Sequence, residues 1–191
     1  SAGVMVSDSQ VKVLSVEGTA AGKKDARYPL SRSFYLVWNG KLNSVEEEFL
    51  RYIRSAGQEI VGQSYDTVSK QNSFLSLKPK GEITITGSTS VGPLLECLAE
   101  EYMKMNPKAS IKITQTDSGD GINQTIQRKC DMGMSSRELR DPEKELLNYE
   151  AIARDEIAVI VNADNPLNDI TMDQLEAIYT GKTTEWKAIY N

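Results

Sequence analysis

The sequence predicts an α/β fold, and three observations within residues 81–137 carry that prediction. Apolar and polar residues alternate over Ile83–Thr86, which is typical of a half-buried strand. Leucine, tyrosine and methionine then recur at three- and four-residue spacings from Leu94 to Met105, which indicates a helix that ends at Asn106-Pro107. Ser110–Thr116 alternates again as a second strand. A strand–helix–strand order of this kind favours a sheet with helices packed against it.

The turns of this stretch consist of glycine and small hydroxyl residues. In an α/β unit the loops that follow the strands gather at one edge of the sheet, where helix N-termini present N–H groups. Such an edge captures anions, and neutral donors suit an anion that has to be released again. The hydroxyl side chains of Thr89, Ser90, Ser118 and Ser136 in these turns are the candidates for additional donors at this edge. The alternative is that they are ordinary helix N-caps, and their spacing alone leaves both interpretations open.

Three motifs, ITITGSTSVGPLLECLAEEYMKMNP, TDSGDGI and CDMGMSSREL, resemble the beginning of the PstS-type phosphate-binding proteins. Members of that family are extracytoplasmic receptors of phosphate ABC transporters. The resemblance continues through DEIAVIVNADNPLNDITMDQLEAIYTGKTTEW, and residues 8–68 resemble the end of the same family in SVEGT, YPLSRSFYLV and AGQEIV. It implies a class II periplasmic-binding-protein-like lobe, with a mixed sheet flanked by helices, and a partial second lobe.

The order of these segments differs from the family's, because its C-terminal part (1–78) precedes its N-terminal part (81–191). The resemblance therefore implies either a junction between two fused receptor copies or a circular permutation. The expected division is a partial second-lobe and hinge segment at 1–30, the C-terminal part of lobe I at 31–78, its N-terminal part at 79–160, and an incomplete second lobe from 161–191. The family's second lobe holds the anion with an Arg followed by Gly-Ser-Gly-Thr, and this sequence contains no Gly-Ser-Gly-Thr.

The implied ligand is inorganic phosphate, held by the four hydroxyl residues named above. Arg137 is the strong cation nearby, and it pairs either with the anion or with an acidic neighbour such as Asp131. Many relatives carry Asp at the position of Ser136, where it accepts a proton from phosphate. A serine there weakens the argument that this chain rejects sulfate, which has no proton to offer.

Two apolar segments, Phe34–Trp38 and Ile157–Val161, resemble the strands that cross between the lobes of the family. Tyr28 and Arg32 precede the first, and they either face an interlobe cleft or lie in a surface loop. The implied partner is the permease of an ABC transporter. The implied location is the outer face of the cell membrane, with a lipid anchor, or the periplasm. The sequence itself shows no signal peptide or lipobox.

The segment before the central stretch predicts strands at 3–6 and 11–16 and one long helix. The helix spans Ser44–Ile60, with Ser44 as its N-cap and Glu46, Glu47 and Glu48 in a solvated first turn that complements the helix dipole. Tyr65–Leu77 reads as an irregular connector that leads into Lys78–Gly81.

After the central stretch, Asp141-Pro142 predicts a helix that continues through Ile152 and leads into the strand 156–161. Thr171 and Gln174 form a capping-box pattern at the start of a further helix. Gly181 stands where a glycine C-cap belongs.

Composition excludes several classes of function. The net charge is −5, with 11 basic and 8 acidic residues over 1–80 but 11 basic and 19 acidic over 81–191, which argues against nucleic acid as a partner. The chain has no histidine, so no Ser-His or Cys-His catalytic pair is possible, and its carboxylates are scattered over predicted helix surfaces. We expect no metal site, no cofactor and no enzyme. Gly181-Lys182-Thr183 lacks the upstream glycine of a nucleotide-binding loop. Cys97 and Cys130 are expected to be buried free thiols.

A second hypothesis is that the chain binds no anion and is a structural or interaction lobe. An incomplete second lobe leaves apolar side chains such as Trp186 without their usual cover, which favours a homodimer that buries them. A third hypothesis keeps the binding role and replaces phosphate by sulfate, molybdate or tungstate.

Overall fold

A computed structural model of the chain describes residues 10–22 and 28–190. The chain divides into two compact units, a smaller one formed by Ser1–Ser31 with Asp155–Asn191 and a larger one formed by Arg32–Arg154. The strand predicted at 3–6 lies outside the described residues. The elements, in chain order, are β1 (Val11–Val16), β2 (Ser31–Trp38), α1 (Ser44–Ile53), α2 (Gln58–Ser64), β3 (Gly81–Gly87), α3 (Gly92–Met105), β4 (Ala109–Gln115), α4 (Ser118–Ile126), β5 (Met132–Ser135), α5 (Asp141–Leu146), β6 (Asn148–Glu156), β7 (Val159–Asn162), β8 (Asp169–Ile170), α6 (Met172–Tyr179) and α7 (Lys187–Tyr190).

The larger unit is built on a five-stranded sheet in the order β4-β3-β5-β2-β6. Strand β3 runs parallel to both β4 and β5, so that Ile85 lies opposite Ile113 on one side and Met132 on the other. Strand β2 runs antiparallel to β5, with Leu36 opposite Met134. Because β3, β4 and β5 point the same way, their carboxyl ends reach the same edge of the sheet.

Helices cover both faces of this sheet. Leu36 packs in a core cluster that includes side chains of α1 and α3, whereas Val37 packs with Ile122 of α4. Neighbouring residues of a strand point to opposite faces, so these two clusters lie on opposite sides. The expected α/β class, with a mixed sheet flanked by helices, is therefore confirmed.

The predicted helix Ser44–Ile60 is two helices, α1 and α2, separated at 54–57. Its N-cap is Asn43 and not Ser44, because the Asn43 side chain accepts hydrogen bonds from the backbone N–H groups of Val45 and Glu46 at 3.0 and 2.9 Å. The Glu46 carboxylate returns a bond to the N–H of Asn43 at 2.8 Å, which completes a capping box.

The helix predicted from Asp141 through Ile152 is also wrong, since it ends at Leu146 and β6 follows. The position of these residues at the edge of the five-stranded sheet explains why they form a strand and not a helix. Strand β6 lies beside β2, and its Arg154 exchanges backbone hydrogen bonds with Asp66 at 2.9 and 3.0 Å. Tertiary pairing of this kind overrides a short helical pattern. The chain enters the smaller unit at the end of β6, so the crossing strand lies before the predicted segment Ile157–Val161.

The first turn of α1 is not solvated as predicted, because Glu46 and Glu48 are buried at 6% and 4% exposure. Only Glu47 of the three is exposed. Desolvation by burial raises the pKa of the Glu46 carboxyl. A buried carboxylate is tolerated only when hydrogen bonds replace its lost water.

Glu48 obtains those hydrogen bonds mainly from the connector and from α3. Its carboxylate accepts the hydroxyl of Tyr102 at 2.8 Å and that of Ser76 at 2.9 Å, and it also accepts the backbone N–H of Leu77. Arg51 donates to the same carboxylate at 3.1 Å. Glu48 therefore helps to fix to the core the connector that the sequence marks as irregular.

The smaller unit contains a three-stranded sheet in the order β7-β1-β8. Strand β1 is antiparallel to β7 and parallel to β8. The capping box predicted for α6 is confirmed, because Thr171 accepts the N–H of Gln174 at 3.1 Å and Gln174 accepts that of Thr171 at 2.9 Å. Gly181 follows this helix with a φ of 74°, as a glycine C-cap requires. Within residues 10–22 and 28–190, no helix is both long and apolar enough to span a bilayer.

Replacement of Glu48 by alanine is expected to lower the free energy of unfolding by about 2–4 kcal/mol, because it leaves the buried hydroxyl of Tyr102 and the part-buried donors of Ser76 and Leu77 without their acceptor. Urea denaturation measures the change. Glu47→Ala is the matched control, since Glu47 is exposed in the same helical turn and its loss should cost less than about 0.5 kcal/mol. Equal losses in the two variants would contradict the role of Glu48.

Candidate functional site

Three loops meet at the edge of the sheet where β3, β4 and β5 end. Ser88 directly follows β3, Ser118 begins α4 after β4, and Ser136 directly follows β5. The loops are tied together by backbone hydrogen bonds, from Ser88 N–H to the Met134 carbonyl at 2.9 Å and from Thr116 N–H to the Gly87 carbonyl at 2.7 Å. The parallel strands thus deliver three serines to one place.

The three serine side chains form a continuous row. The hydroxyl of Ser88 donates to that of Ser136 at 3.0 Å, and the hydroxyls of Ser136 and Ser118 lie 3.3 Å apart. Ser118 also accepts the backbone N–H of Ser136 at 3.0 Å. We call these three residues the serine row. Since α3 and α4 both begin beside it, the row lies where two helix dipoles favour negative charge.

Two glycines allow α4 to begin this close to β3. A Cβ on Gly121 would lie 2.5 Å from the carbonyl oxygen of Thr86 and 2.6 Å from the Cα of Gly87. Gly87 itself has a φ of 145°, and a Cβ there would lie 2.1 Å from the Met134 carbonyl oxygen. No side chain fits at either position, so glycine is required for the serine row to form.

The structure brings together only part of the predicted set of site residues. Ser118 and Ser136 belong to the serine row. Thr89 is exposed and Ser90 half-buried in the loop between β3 and α3, where the N–H of Ser90 donates to the Ser88 hydroxyl at 3.2 Å. Ser88 was missed by the sequence analysis, although its position directly after the last residue of a strand was an available signal.

Arg137 is bound by an acidic neighbour, but not by the one considered from the sequence. Its guanidinium makes a two-pronged ion pair with Glu143 of α5, with both N–O distances 2.9 Å. Asp131 instead accepts both the backbone N–H and the hydroxyl of Thr84, at 2.7 and 3.0 Å. The pairing of Arg137 with Asp131 is therefore wrong.

The ion pair sets the charge state of both partners. The hydrogen bond from Arg137 holds the pKa of the Glu143 carboxyl below its ordinary value of 4.5, and the same bond raises the pKa of Arg137. The Arg137 backbone is fixed as well, because its carbonyl accepts the hydroxyl of the buried Ser135 at 2.8 Å. Arg137 thus stands beside the serine row with its charge already paired.

Tyr28 and Arg32 do not join the serine row. Tyr28 is a core residue of the smaller unit at 1% exposure, and its hydroxyl donates to the Ile157 carbonyl at 2.8 Å. A buried core ring of this kind is not part of an exposed surface loop, which was one of the two alternatives for Tyr28. Arg32 is half-buried, with its guanidinium 5.5 Å from the centre of the Phe34 ring.

The two cysteines differ in environment. Cys130 is buried, and desolvation raises the pKa of its thiol. Cys97 is exposed on α3, so the expectation that both thiols are buried is wrong for this residue. The apolar stripe of α3 runs through Leu94, Leu95 and Leu98, and it leaves Cys97 at its margin.

Comparison with known proteins shows the family to which the chain belongs. A family model described as a PBP superfamily domain matches residues 63–189, and the chain belongs to that superfamily. Among curated proteins, the chain is similar to phosphate-binding protein PstS 2 of Streptococcus pneumoniae, with 37% identity over 185 residues, covering 94% of this chain and 64% of that protein. PstS 2 of Streptococcus agalactiae is 38% identical over 186 residues, with the same coverage of both chains.

A solved structure supports the same relationship. The crystal structure of a phosphate-binding protein of a phosphate ABC transporter from Streptococcus pneumoniae superimposes with a TM-score of 0.81 at 37% identity. The match covers 94% of this chain and 72% of that one. The chain spans 64% of the length of the curated streptococcal relatives.

Replacement of Glu143 by glutamine is expected to lower the free energy of unfolding at pH 7. It should also make the free energy of unfolding decrease less steeply as the pH is lowered. The pKa of Glu143 is depressed in the folded state, so its contribution is present above 4.5 and is lost as the pH falls through the lower folded pKa. Urea denaturation of variant and parent between pH about 3 and 7 measures the difference, which should shrink towards acid. Glu145→Gln is the control on the same helix, and a difference that stays constant with pH would contradict the assignment.

Proposed function

We propose that this chain contributes an oxyanion half-site to a solute-binding protein of an ABC transporter, and that its ligand is inorganic phosphate. The serine row carries the proposal. The Ser136 hydroxyl lies 3.0 Å from that of Ser88 and 3.3 Å from that of Ser118, in loops distant in sequence and beside the N-termini of α3 and α4. Structural N-caps bond to their own helix, whereas these hydroxyls bond to one another across three loops.

The site binds its anion with neutral groups. Arg137, a strong cation beside the row, is held by Glu143, so hydroxyls and backbone N–H groups supply the attraction. Hydrogen bonds to a charged group contribute about 1.5–3 kcal/mol each, and helix N-termini add to them without an ion pair. This chemistry binds an anion without the desolvation of a buried counter-ion and lets it leave again.

The biological setting follows from the relatives. Those with the highest coverage are named as phosphate-binding proteins, and one solved structure belongs to a phosphate ABC transporter. We therefore propose a permease as partner, a location outside the cytoplasm with a lipid anchor, and a binding role without catalysis. We also propose that the larger unit corresponds to lobe I of the family.

The choice among oxyanions depends on Ser136. A hydroxyl both donates and accepts, so the serine row accommodates an oxyanion with or without a proton. Sulfate, molybdate and tungstate therefore remain competing ligands, and a comparison of phosphate with sulfate decides between them.

Calorimetric titration of the purified chain with phosphate and with sulfate tests the proposal. Ser118→Ala and Ser136→Ala are each expected to weaken phosphate binding by about 1 kcal/mol or more, a factor of about five. Ser73→Ala is the matched control, because Ser73 is exposed on the connector. Thermal melting of each variant confirms that the fold is retained.

Three outcomes would contradict parts of this proposal. Equal phosphate affinity in all three variants would refute the serine row as the site. Tighter binding of sulfate would change the ligand and keep the site. No heat with either anion, together with a mass that rises with protein concentration, would favour the alternative of a self-associating lobe.

A further inference from the structure

A groove runs along the helical face of the larger unit, between α3 and the pair α1–α2. It encloses about 540 Å³. Its floor is apolar and includes the buried Tyr52 and the half-buried Ile60 and Met105. The groove contains none of the residues of the serine row.

The rim of the groove is acidic. Glu59 stands on the α2 side, and Glu100 and Glu101 stand on the α3 side. Lys104 is the one cation that lines the groove, and it pairs with Glu101 and, at 3.8 Å, with Glu100. Three carboxylates therefore face one ammonium group, which leaves the rim with an excess of negative charge.

Carboxylates on both sides of the rim raise the pKa of Tyr52, which lies in the floor between them. The pKa of Tyr52 is raised to about 12, first by burial and then by the charges of Glu101 and Glu59. Carboxylates from the two sides thus influence the same ring. A cationic group placed over the floor would meet both of them, whereas a second anionic surface would be repelled.

We propose that this groove docks a basic amphipathic helix of a partner protein, with its apolar face on the floor and its cationic side chains on the acidic rim. An apolar groove that receives the apolar face of a helix is a recurrent mode of peptide recognition. The lining residues of α3 run from Cys97 to Met105, about 12 Å along the helix axis, which matches two to three helical turns of the partner.

Charge selects this occupant over the alternatives. Two copies of the chain joined through the same groove would bring Glu59, Glu100 and Glu101 against their equivalents. An anionic lipid surface would be repelled in the same way. The inference is independent of the proposed anion site, because the two share no residue.

The test uses the full chain and two synthetic peptides of 14 residues. One is an amphipathic helix of leucine and lysine, and the other carries glutamate at every lysine position. Calorimetry should detect saturable binding of the lysine peptide alone. The double variant Glu59→Lys/Glu101→Lys should weaken it at least tenfold. Glu145→Lys/Glu185→Lys is the matched control, since it changes the net charge equally at two exposed positions outside the groove and should leave affinity within twofold.

Alkylation of Cys97 supplies a second readout inside the groove. This thiol is exposed and lines the groove, whereas Cys130 is buried with a raised pKa. Saturating lysine peptide should slow the reaction of Cys97 with iodoacetamide at least fivefold. Melting temperatures of the charge-reversal variants confirm that they fold.

Four results would overturn the proposal. Absence of saturable binding of the lysine peptide would do so. Equal weakening of peptide binding in the groove variant and the control variant would also do so, because it would show that the peptide is attracted by net charge alone. An unchanged alkylation rate would place the peptide elsewhere. A dimer of the parent, or binding of the parent to phosphatidylglycerol vesicles, that protects Cys97 from alkylation would assign the groove to self-association or to a membrane.

Discussion

The close approach of α4 to β3 is the constraint on which the candidate site depends. The helix starts against the end of the strand because Gly121 faces Thr86 and Gly87 with no Cβ between them. Any larger residue would push the first turn of α4 outwards and carry Ser118 away from Ser136. The hydroxyl row is therefore a consequence of backbone packing, and two glycines set the distances between three serines that are far apart in sequence.

Two charged side chains of the larger unit, Glu48 and Arg137, are stabilised in different ways. Glu48 lies in the core and exchanges its water for hydrogen bonds from α3 and the connector, so its burial fixes a segment without regular structure. Arg137 lies at the edge of the sheet, where Glu143 neutralises its charge. The first arrangement holds the fold together, and the second leaves neutral hydroxyl and N–H groups as the candidates for the proposed anion site.

Local sequence patterns predicted the structure correctly where the interactions that determine it are between residues close in sequence. The strand–turn–helix pattern placed Ser118 and Ser136 at strand ends, and the capping box at Thr171 was correct because its partner is three residues away. The pattern missed Ser88, whose role depends on Ser136, 48 residues later in the chain. The pattern also missed the burial of Glu48. The sequence of an amphipathic helix with glutamates in its first turn does not show whether those side chains are covered by a connector or exposed to water.

The prediction of Asp131 as the partner of Arg137 and the prediction of a helix over residues 147–152 were wrong for the same reason. Glu143 is close in sequence, but only the direction in which α5 leaves the sheet turns it towards Arg137. Residues 147–152 have enough helical pattern to predict an extension of α5, yet the edge of the sheet beside β2 offers a ladder of backbone hydrogen bonds that a helix cannot use. Both outcomes depend on where the sheet ends, and that position is a property of the assembled sheet.

The order of the segments has a physical explanation in the sheet. Strand β2 lies beside β5, so the segment before the connector and the segment after it are joined by β-pairing and a shared core. Such contacts form in whichever order the chain supplies the two segments, provided that the connector can reach from one to the other. Glu48 and Asn106 hold it in place, the latter through the Pro79 carbonyl at 2.9 Å.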